Sequence, residues 1–186
     1  MVTIVSGLPR SGTSMMMRML EAGGMQVLTD NLRTADEDNP RGYYEYERVK
    51  QIEDDTSWLP EAEGKVVKMI AALLKHLPPG YRYRVVFMIR EMEEVLSSQR
   101  QMLIRRGEPT DRVSDERMAA LFQRHVQQVR GWLERQPDLE VIYVNYREVL
   151  GHPLEQATRV NDFLGSILDV EAMAEAVDLN LYRQRG

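Results

Sequence analysis

The segment Gly7–Ser14, with the sequence GLPRSGTS, has the residue types and spacing of a phosphate-binding loop. It follows a short apolar run, Val2–Val5, which predicts a buried strand, and it precedes an apolar, methionine-rich stretch that predicts a helix. A glycine turn between a strand and a helix directs backbone N–H groups and the helix N-terminus at one point. The chemistry expected there is the binding of a phosphate group of a nucleotide.

The loop departs from the Walker A pattern, G-x-x-x-x-G-K-[ST], at one position. Gly7, Gly12 and Ser14 match the pattern, but Thr13 stands where the lysine belongs. That lysine reaches the β- and γ-phosphates in P-loop NTPases, whereas the cation of this loop is Arg10. A glycine turn after a strand is also common without any ligand, so the loop by itself leaves a purely structural role open.

Arg90 and Ser98 form the second set of residues that could do chemistry. Arg90 ends the clearest central strand, 84–90, and Ser98 lies eight residues later in the helix predicted over 91–106. Ligands of open parallel sheets bind at the carboxyl ends of the strands, and an arginine can hold a phosphate through two N–H groups. Two helical turns place Ser98 on a face that can point back at the same anion. The alternative is a surface arginine beside a solvated helix face.

The loop PRSGTS resembles the 5′-phosphosulfate loop of the sulfotransferases, which bind PAPS (3′-phosphoadenosine-5′-phosphosulfate). The spacing of Arg90 and Ser98 is similar to that of the arginine and serine that bind the 3′-phosphate of PAPS in that family. The resemblance implies a PAPS-dependent sulfotransferase that releases PAP and needs no metal. It also implies that the 5′ end of PAPS is bound by Arg10, Ser11, Gly12, Thr13 and Ser14.

A third segment, VIYVNYREVLGHPLEQATRVNDFLG over residues 141–165, supports the same family. It resembles the family's strand, Tyr-Glu-Asp-Leu turn and helix, and it places Tyr146 at the tyrosine that lies beside the adenine. In this chain Arg147 comes between Tyr146 and Glu148, where the family usually has the acid directly after the tyrosine. With this segment the resemblance extends over about residues 2–165.

A fourth segment, KVVKMIAALLKHLP, bears on catalysis. It places Lys68 at a lysine that lies near the transferred sulfonate in the cytosolic enzymes, but Ile70 stands where those enzymes have their histidine base. Other members, including the tyrosylprotein and heparan enzymes, use a carboxylate, which makes four acidic residues candidates here: Asp30, Glu37, Asp38 and Glu45. We take Glu45, in the aromatic-rich NPRGYYEYE, as the expected base and Asp30 as the alternative. Each of the four also fits a solvated acid of a loop or helix.

Two further regions are expected to contact substrates. Family members often close a basic segment over the 3′-phosphate, and Arg183 or Arg185 in the C-terminal LYRQRG could do so, although a frayed tail is also typical of such a sequence. The segments 29–60 and 106–114 are expected to be substrate loops or lids. Aromatic residues in the first would suit a sugar, a phenol or a lipid headgroup as the acceptor.

The predicted elements alternate between strands and helices, which favours an α/β fold with a parallel sheet. The resemblance implies a three-layer α/β/α sandwich of the P-loop NTPase-like sulfotransferase type, and the length favours one domain over 1–186. Strands are predicted over 2–5, 65–70, 84–90 and 139–144, with a possible short strand at 25–28. Helices are predicted over 12–22, 44–57, 91–106, 114–136, 153–164 and 169–178.

Composition excludes several other classes of protein. The chain has 186 residues, a net charge of −5 and no cysteine, so a basic nucleic-acid surface, disulfides and thiolate metal sites are not expected. The three histidines have no metal-ligand spacing. No apolar run is long enough to span a membrane, and these features together favour a cytoplasmic protein.

Two alternatives stay open at this stage. A small-molecule kinase or NTPase would need a Mg²⁺-binding aspartate after an apolar strand, but the apolar segments VVKMI, VVFMIR and VIYVNY end in Ile70, Arg90 and Tyr146. A non-catalytic nucleotide-binding protein on the same fold is compatible with the missing histidine, because a fold does not guarantee an activity.

Overall fold

The computed structural model describes residues 1–30, 43–110 and 112–178. Four parallel strands form its sheet in the order β2-β1-β3-β4. They are β1 Val2–Gly7, β2 Val66–Lys68, β3 Tyr83–Ile89 and β4 Leu139–Asn145. Apolar, β-branched runs form these strands because the sheet is covered on both faces, and all six residues of β1 are buried.

Helices connect the strands and form the two outer layers. They are α1 Thr13–Ala22, α2 Leu59–Ala62, α3 Met92–Arg105, α4 Asp115–Leu133, α5 Tyr146–Gly151, α6 Pro153–Leu164 and α7 Val170–Glu175. Two 3₁₀ helices, Glu47–Gln51 and Ala71–His76, complete the regular structure of the described residues. The predicted α/β/α sandwich with a parallel sheet is confirmed.

Two hydrophobic cores lie on opposite faces of the sheet. One face packs against α2, α4 and both 3₁₀ helices around the fully buried Trp58 and Phe87. The other face packs against α1, α5, α6 and α7. The methionines of α1 are buried in this second core, as their apolar helical spacing indicates, and methionine fills irregular gaps between a helix and a sheet well.

The topology places a crevice at the carboxyl ends of β1 and β3. The chain leaves β1 towards β2 on one side, and it leaves β3 towards β4 on the other. Ligands of open α/β sheets bind where the direction of the connections reverses in this way. The loop after β1 and the residues after β3 therefore face the same crevice.

The prediction of a helix over 44–57 is wrong. The structure has only the short 3₁₀ helix there, followed by turns. Val49 and Ile52 are buried three residues apart, which is the 3₁₀ period. The carboxylate of Asp55 accepts hydrogen bonds from the backbone N–H and the hydroxyl of Ser57, and such local bonds compete with helix formation.

The remaining predicted elements agree with the structure to within a few residues at their ends, with two further differences. The predicted strand at 25–28 is reduced to one bridge between Val27 and Val66. The helix predicted over 169–178 is shorter, as α7. Ser114 caps α4 as expected, since its hydroxyl accepts a hydrogen bond from Arg117 N. Among the helices of the described residues, none has the length and apolarity that a membrane crossing requires.

Candidate functional site

The loop after β1 has a backbone that few residues tolerate. Arg10 has a φ of 69° and Gly12 a φ of 99°, both in the left-handed region. A Cβ on Gly12 would lie 2.4 Å from Cδ2 of Tyr146, so glycine is required for space as well as for conformation. Left-handed non-glycine residues cluster at ligand sites. The turn ends at Thr13, where α1 begins, and the first backbone N–H groups of a helix have no acceptor within it.

The hydroxyl of Ser11 in this loop is buried without a hydrogen-bond partner among the described residues. Ser11 also lines a cavity of about 260 Å³ between the loop, the end of β3 and α4, together with Leu8, Arg90 and Gln123. An unpaired buried hydroxyl costs free energy, so its presence beside a cavity is a reason to expect a polar ligand nearby.

Arg10 and Ser98 lie in contact, which joins the loop to α3. Nε of Arg10 donates a hydrogen bond to Oγ of Ser98 at 2.9 Å. Arg90 joins the same point from the other side, because its Nη1 donates to the carbonyl oxygen of Arg10 at 3.0 Å. The three residues that the sequence singled out for anion binding are therefore brought together, although they are as much as 88 positions apart.

Glu94 is the residue of this cluster that sequence reasoning missed. Its side chain is 2% exposed and accepts hydrogen bonds from Nε of Arg90 at 2.8 Å and from Nε of Arg147 at 2.7 Å. The guanidinium of Arg90 also lies 4.2 Å from the ring centre of Tyr146. The i,i+4 spacing of Arg90 and Glu94 was a signal, but nothing in the sequence indicates that Arg147 meets them from another element.

Tyr146 packs against the phosphate loop at Gly12. It is buried, and its ring edge fills the space beside Gly12. The guanidinium of Arg90 packs on one face of the ring. These contacts hold the loop against β4 and the start of α5. Its expected position beside an adenine stays a prediction.

Lys68 lies on the opposite side of the loop from Arg90, because β2 and β3 flank β1. Nζ of Lys68 lies 3.4 Å from Oγ of Ser14 and donates to the carbonyl oxygen of Tyr43. The same ammonium group lies 5.8 Å from the ring centre of Tyr43. Lys68 therefore reaches the first turn of α1, which contains Thr13 at the position of the Walker A lysine.

The two candidate bases are close to each other and have different partners. The backbone N–H of Asp30 donates to the carbonyl oxygen of Glu45 at 3.3 Å. Oδ2 of Asp30 accepts a hydrogen bond from Glu47 N at 2.6 Å, which caps the 3₁₀ helix. The carboxylate of Glu45 lies 3.3 Å from Nζ of Lys50 and is 19% exposed. Hydrogen bonding to Glu47, and then the charge of Glu45, raise the pKa of Lys50, so this lysine is charged near Glu45.

Several predicted site residues lie outside the described residues. These are Glu37 and Asp38 as candidate bases, and Arg183 and Arg185 as cations for the 3′-phosphate. The same holds for residues 31–42 of the first predicted lid and for Asp111 in the second. Ile70, at the position of the family's histidine, is about half exposed. In the described part of the chain, no cluster of three or more histidine, aspartate or glutamate side chains could hold a metal ion.

The donors at the crevice fit a nucleotide with phosphate or sulfate groups. The loop offers a helix N-terminus and the cation of Arg10, and Lys68 and Arg90 stand on either side of it. Ser11 Oγ adds an unpartnered hydroxyl. Backbone N–H groups, guanidinium and ammonium groups are the donors that bind such anions. Glu94 is a carboxylate at this site, and it accepts hydrogen bonds from Arg90 and Arg147.

Comparison with known proteins agrees with this chemistry. Residues 42–169, more than half of the chain, match the model of the Sulfotransferase family. The chain therefore belongs to the sulfotransferase family. The matched range includes Lys68, Arg90, Ser98 and Tyr146, and it begins after the loop that contains Arg10. A search of curated proteins finds no significant match.

Solved structures show the same fold. The sulfotransferase domain of the Synechococcus PCC 7002 olefin synthase matches with a TM-score of 0.59 and 17% identity, over 99% of this chain and 78% of that one. The sulfotransferase domain from the curacin biosynthetic pathway matches with a TM-score of 0.55 and 13% identity, over 99% and 78%. A sulfotransferase from Alicyclobacillus acidocaldarius matches with a TM-score of 0.53 and 14% identity, over 96% and 87%.

Proposed function

We propose that this protein is a PAPS-dependent sulfotransferase that moves a sulfonate group to a hydroxyl or amine of an acceptor and releases PAP. The observation that carries the proposal is that Arg90 and Lys68 contact the loop of Arg10 from its two sides, in a chain of the sulfotransferase family. We propose further that residues 1–186 form one domain. PAPS, when bound, supplies the activated sulfonate, and the protein supplies orientation and charge.

In this proposal, the loop holds the 5′ end of the nucleotide. The backbone N–H groups from Gly12 to Ser14, at the N-terminus of α1, bind the 5′-phosphate. Arg10 and Lys68, with the hydroxyls of Thr13 and Ser14, stabilise the negative charge that grows on the bridging oxygen as the S–O bond breaks. Charges already held in place at such a point lower the barrier without further reorganisation.

Glu45 takes the proton of the acceptor in this scheme, and Asp30 is the alternative. The Glu45 carboxylate lies 3.3 Å from Nζ of Lys50 and is 19% exposed, so a salt bridge holds it in place. Asp30 already has one carboxylate oxygen committed to the cap of the 3₁₀ helix. Positioning and proton transfer together account for catalysis without a metal ion, since Arg10 and Lys68 serve the transferred group.

The acceptor lies on the Lys68 side of the loop, near Tyr43 and the segment that follows it. Aromatic rings there, Tyr43 and Tyr46, together with polar neighbours, suit a small molecule or the exposed part of a glycan or lipid. We propose no nucleic-acid partner, because the net charge is −5.

Calorimetric titration with PAP in the absence of metal tests this function, with Mg-ATP as the comparison ligand. We expect metal-free PAP binding that weakens by about tenfold or more in Arg10→Gln, because a charge-assisted contact to the anion is lost. Arg82→Gln is the matched control, since Arg82 is an exposed arginine at the amino end of β3. Binding of Mg-ATP but not PAP would overturn the proposal in favour of a kinase.

A further inference from the structure

The cavity of about 260 Å³ beside the phosphate loop lies on the α4 face of the sheet. The described residues that line it come from the loop, β3 and the residue after it, α3 and α4. Phe87 and Ile89 of its wall belong to the core on this face, whereas α1 packs on the opposite face. Lys68 and Tyr43, near which the acceptor is proposed to lie, come from other segments. The cavity is therefore built from elements that differ from those of the proposed acceptor side.

Ser11 places a buried hydroxyl on the wall of this cavity. The residue is 2% exposed, and its Oγ has no hydrogen-bond partner among the described residues. Gly7 leaves the space that this hydroxyl uses, because a Cβ on Gly7 would lie 2.4 Å from Oγ of Ser11. A buried hydroxyl without a partner costs free energy, and a ligand that forms a hydrogen bond with it recovers that cost.

The rest of the wall favours a neutral, apolar ligand. Apolar side chains on the wall include those of Leu8, Phe87, Val95 and Val126. Among the described residues that line the cavity, Arg90 alone is charged, and its guanidinium is bonded to Glu94 and to the carbonyl oxygen of Arg10. A charged ligand would have to give up its hydration in these surroundings, which is costly.

The volume and the entrance of the cavity limit the size of the ligand. An apolar cavity of about 150 Å³ holds one benzene molecule, so about 260 Å³ has room for a six-membered ring with a hydroxyl and a short substituent. Gln123 and Gln127 lie one turn apart on α4 and are exposed, so they mark the wall that faces solvent.

We propose that this cavity binds a small, neutral, ring-bearing molecule whose hydroxyl forms a hydrogen bond with Ser11, and that this ligand stabilises the phosphate loop. Leu8 and Ser11 belong to the loop, and Arg10 between them has a left-handed φ of 69°. A ligand that contacts both residues favours the loop conformation that the nucleotide also needs, so the two ligands should bind with positive coupling. The coupling to the nucleotide rests on the proposed function, whereas the binding of the ring does not.

The test is a methyl NMR titration of the full chain, labelled with carbon-13 at the methionine methyl groups. The probes are phenol and toluene, which have similar shapes but differ in the hydroxyl. Met88 and Met92 line the cavity, and Met173 lies in the core on the opposite face as an internal control. We expect both probes to shift the signals of Met88 and Met92 and to leave the signal of Met173 unchanged.

Three variants test the position of the ligand. Ser11→Ala should weaken phenol binding by about fivefold and leave toluene binding unchanged. Val126→Trp fills the cavity and should abolish the binding of both probes, whereas Leu121→Trp, at an exposed position of the same helix, should not. A native signal of Met173 verifies that each variant is folded.

Calorimetric titration with PAP measures the coupling. Saturating phenol should tighten PAP binding by about fivefold in the native chain and have no effect in Val126→Trp. Equal PAP affinities with and without phenol in the native chain would overturn the coupling.

Other outcomes would overturn the binding site itself. Unshifted signals of Met88 and Met92 with both probes would show that the cavity holds water only. Equal changes of phenol and toluene binding in Ser11→Ala would contradict the hydrogen bond to the hydroxyl. If the chain binds phenol in the cavity but does not bind PAP, the proposed function fails while the cavity remains a binding site.

Discussion

The two sides of the phosphate loop are built differently. On the β3 side, Arg90, Glu94 and Ser98 lie within a strand end and one regular helix, and both Glu94 and Ser98 are buried. On the β2 side, Lys68 contacts Tyr43, and Tyr43, Asp30 and Glu45 all lie outside helices and strands. The side proposed for the nucleotide is thus set by regular structure, whereas the side proposed for the acceptor is set by local hydrogen bonds.

This difference matches the demands that the proposed function makes. The nucleotide is the same in every turnover, so a rigid, buried set of cations is well suited to it. An acceptor pocket differs between sulfotransferases that share a fold, and irregular segments can change without disturbing the sheet. Substitutions on the β3 side should therefore lower stability and nucleotide affinity, whereas substitutions on the β2 side should lower the turnover rate.

Glu94→Gln should have the largest effect, because it removes the buried carboxylate that pairs with the buried Arg90 and with Arg147. Breaking a buried ion pair by removing one partner costs about 3–5 kcal/mol, so the melting temperature should fall by about 10 °C. Glu140→Gln is the matched control, since Glu140 also accepts from two arginines, Arg82 and Arg84, but is half exposed. Its effect should stay under about 1 kcal/mol. Equal decreases in melting temperature for Glu94→Gln and Glu140→Gln would show that burial of the carboxylate does not determine the loss.

Glu45→Gln tests whether the β2 side provides the catalytic base. We expect the rate of PAP release from PAPS, with an acceptor found by screening, to fall by about a thousandfold, because the acceptor's proton has no base to take it. PAP affinity and melting temperature should change little. Glu47→Gln is the matched control, because Glu47 shares the partner Lys50 but is more exposed. A large loss in Asp30→Asn with little change in Glu45→Gln would instead make Asp30 the base.

Gly12→Ala tests how closely Tyr146 limits the loop. The substitution should weaken PAP binding by about a hundredfold, because the new methyl group displaces either the loop or the tyrosine ring. Gly24→Ala is the control, with a nearly identical φ of 97° and open space where the Cβ would lie. Both variants should lose about 1–2 kcal/mol of stability from the left-handed backbone. Equal PAP affinities for the two variants would show that the contact with Tyr146 does not shape the site.

Asp55 should show the smallest effect, visible only in acid. Hydrogen bonds from the hydroxyl and the backbone N–H of Ser57, and one from Arg48, lower the pKa of Asp55 from 3.8 to about 2. The folded-state pKa is depressed, so the ionised carboxylate stabilises the fold above pH 3.8 and the contribution is lost as the pH falls through about 2. Asp55→Asn should therefore lower the melting temperature slightly at pH 5 and less at pH 2. A difference that persists unchanged at pH 2 would point to another cause.

The sequence was informative where local pattern and tertiary structure agree. The strand, glycine loop and helix from Val2 to Ala22 follow from apolar runs and turn residues alone, and the structure confirms them. The prediction of a helix over 44–57 failed because Asp55 forms side-chain hydrogen bonds with Ser57 and Arg48 instead. These bonds depend on side-chain rotamers, which the periodicity of the sequence does not encode.

The sequence by itself determined the parallel α/β sandwich, the sulfotransferase-like loop and the spacing of Arg90 and Ser98. Each depends on residues near one another in the chain, where strand and helix periods fix direction. Only the tertiary structure decided that Arg147 reaches Glu94 and that Lys68 reaches Ser14, contacts that span 53 and 54 positions of sequence. Strand register and helix docking set such distances, and they are properties of the packed core as a whole.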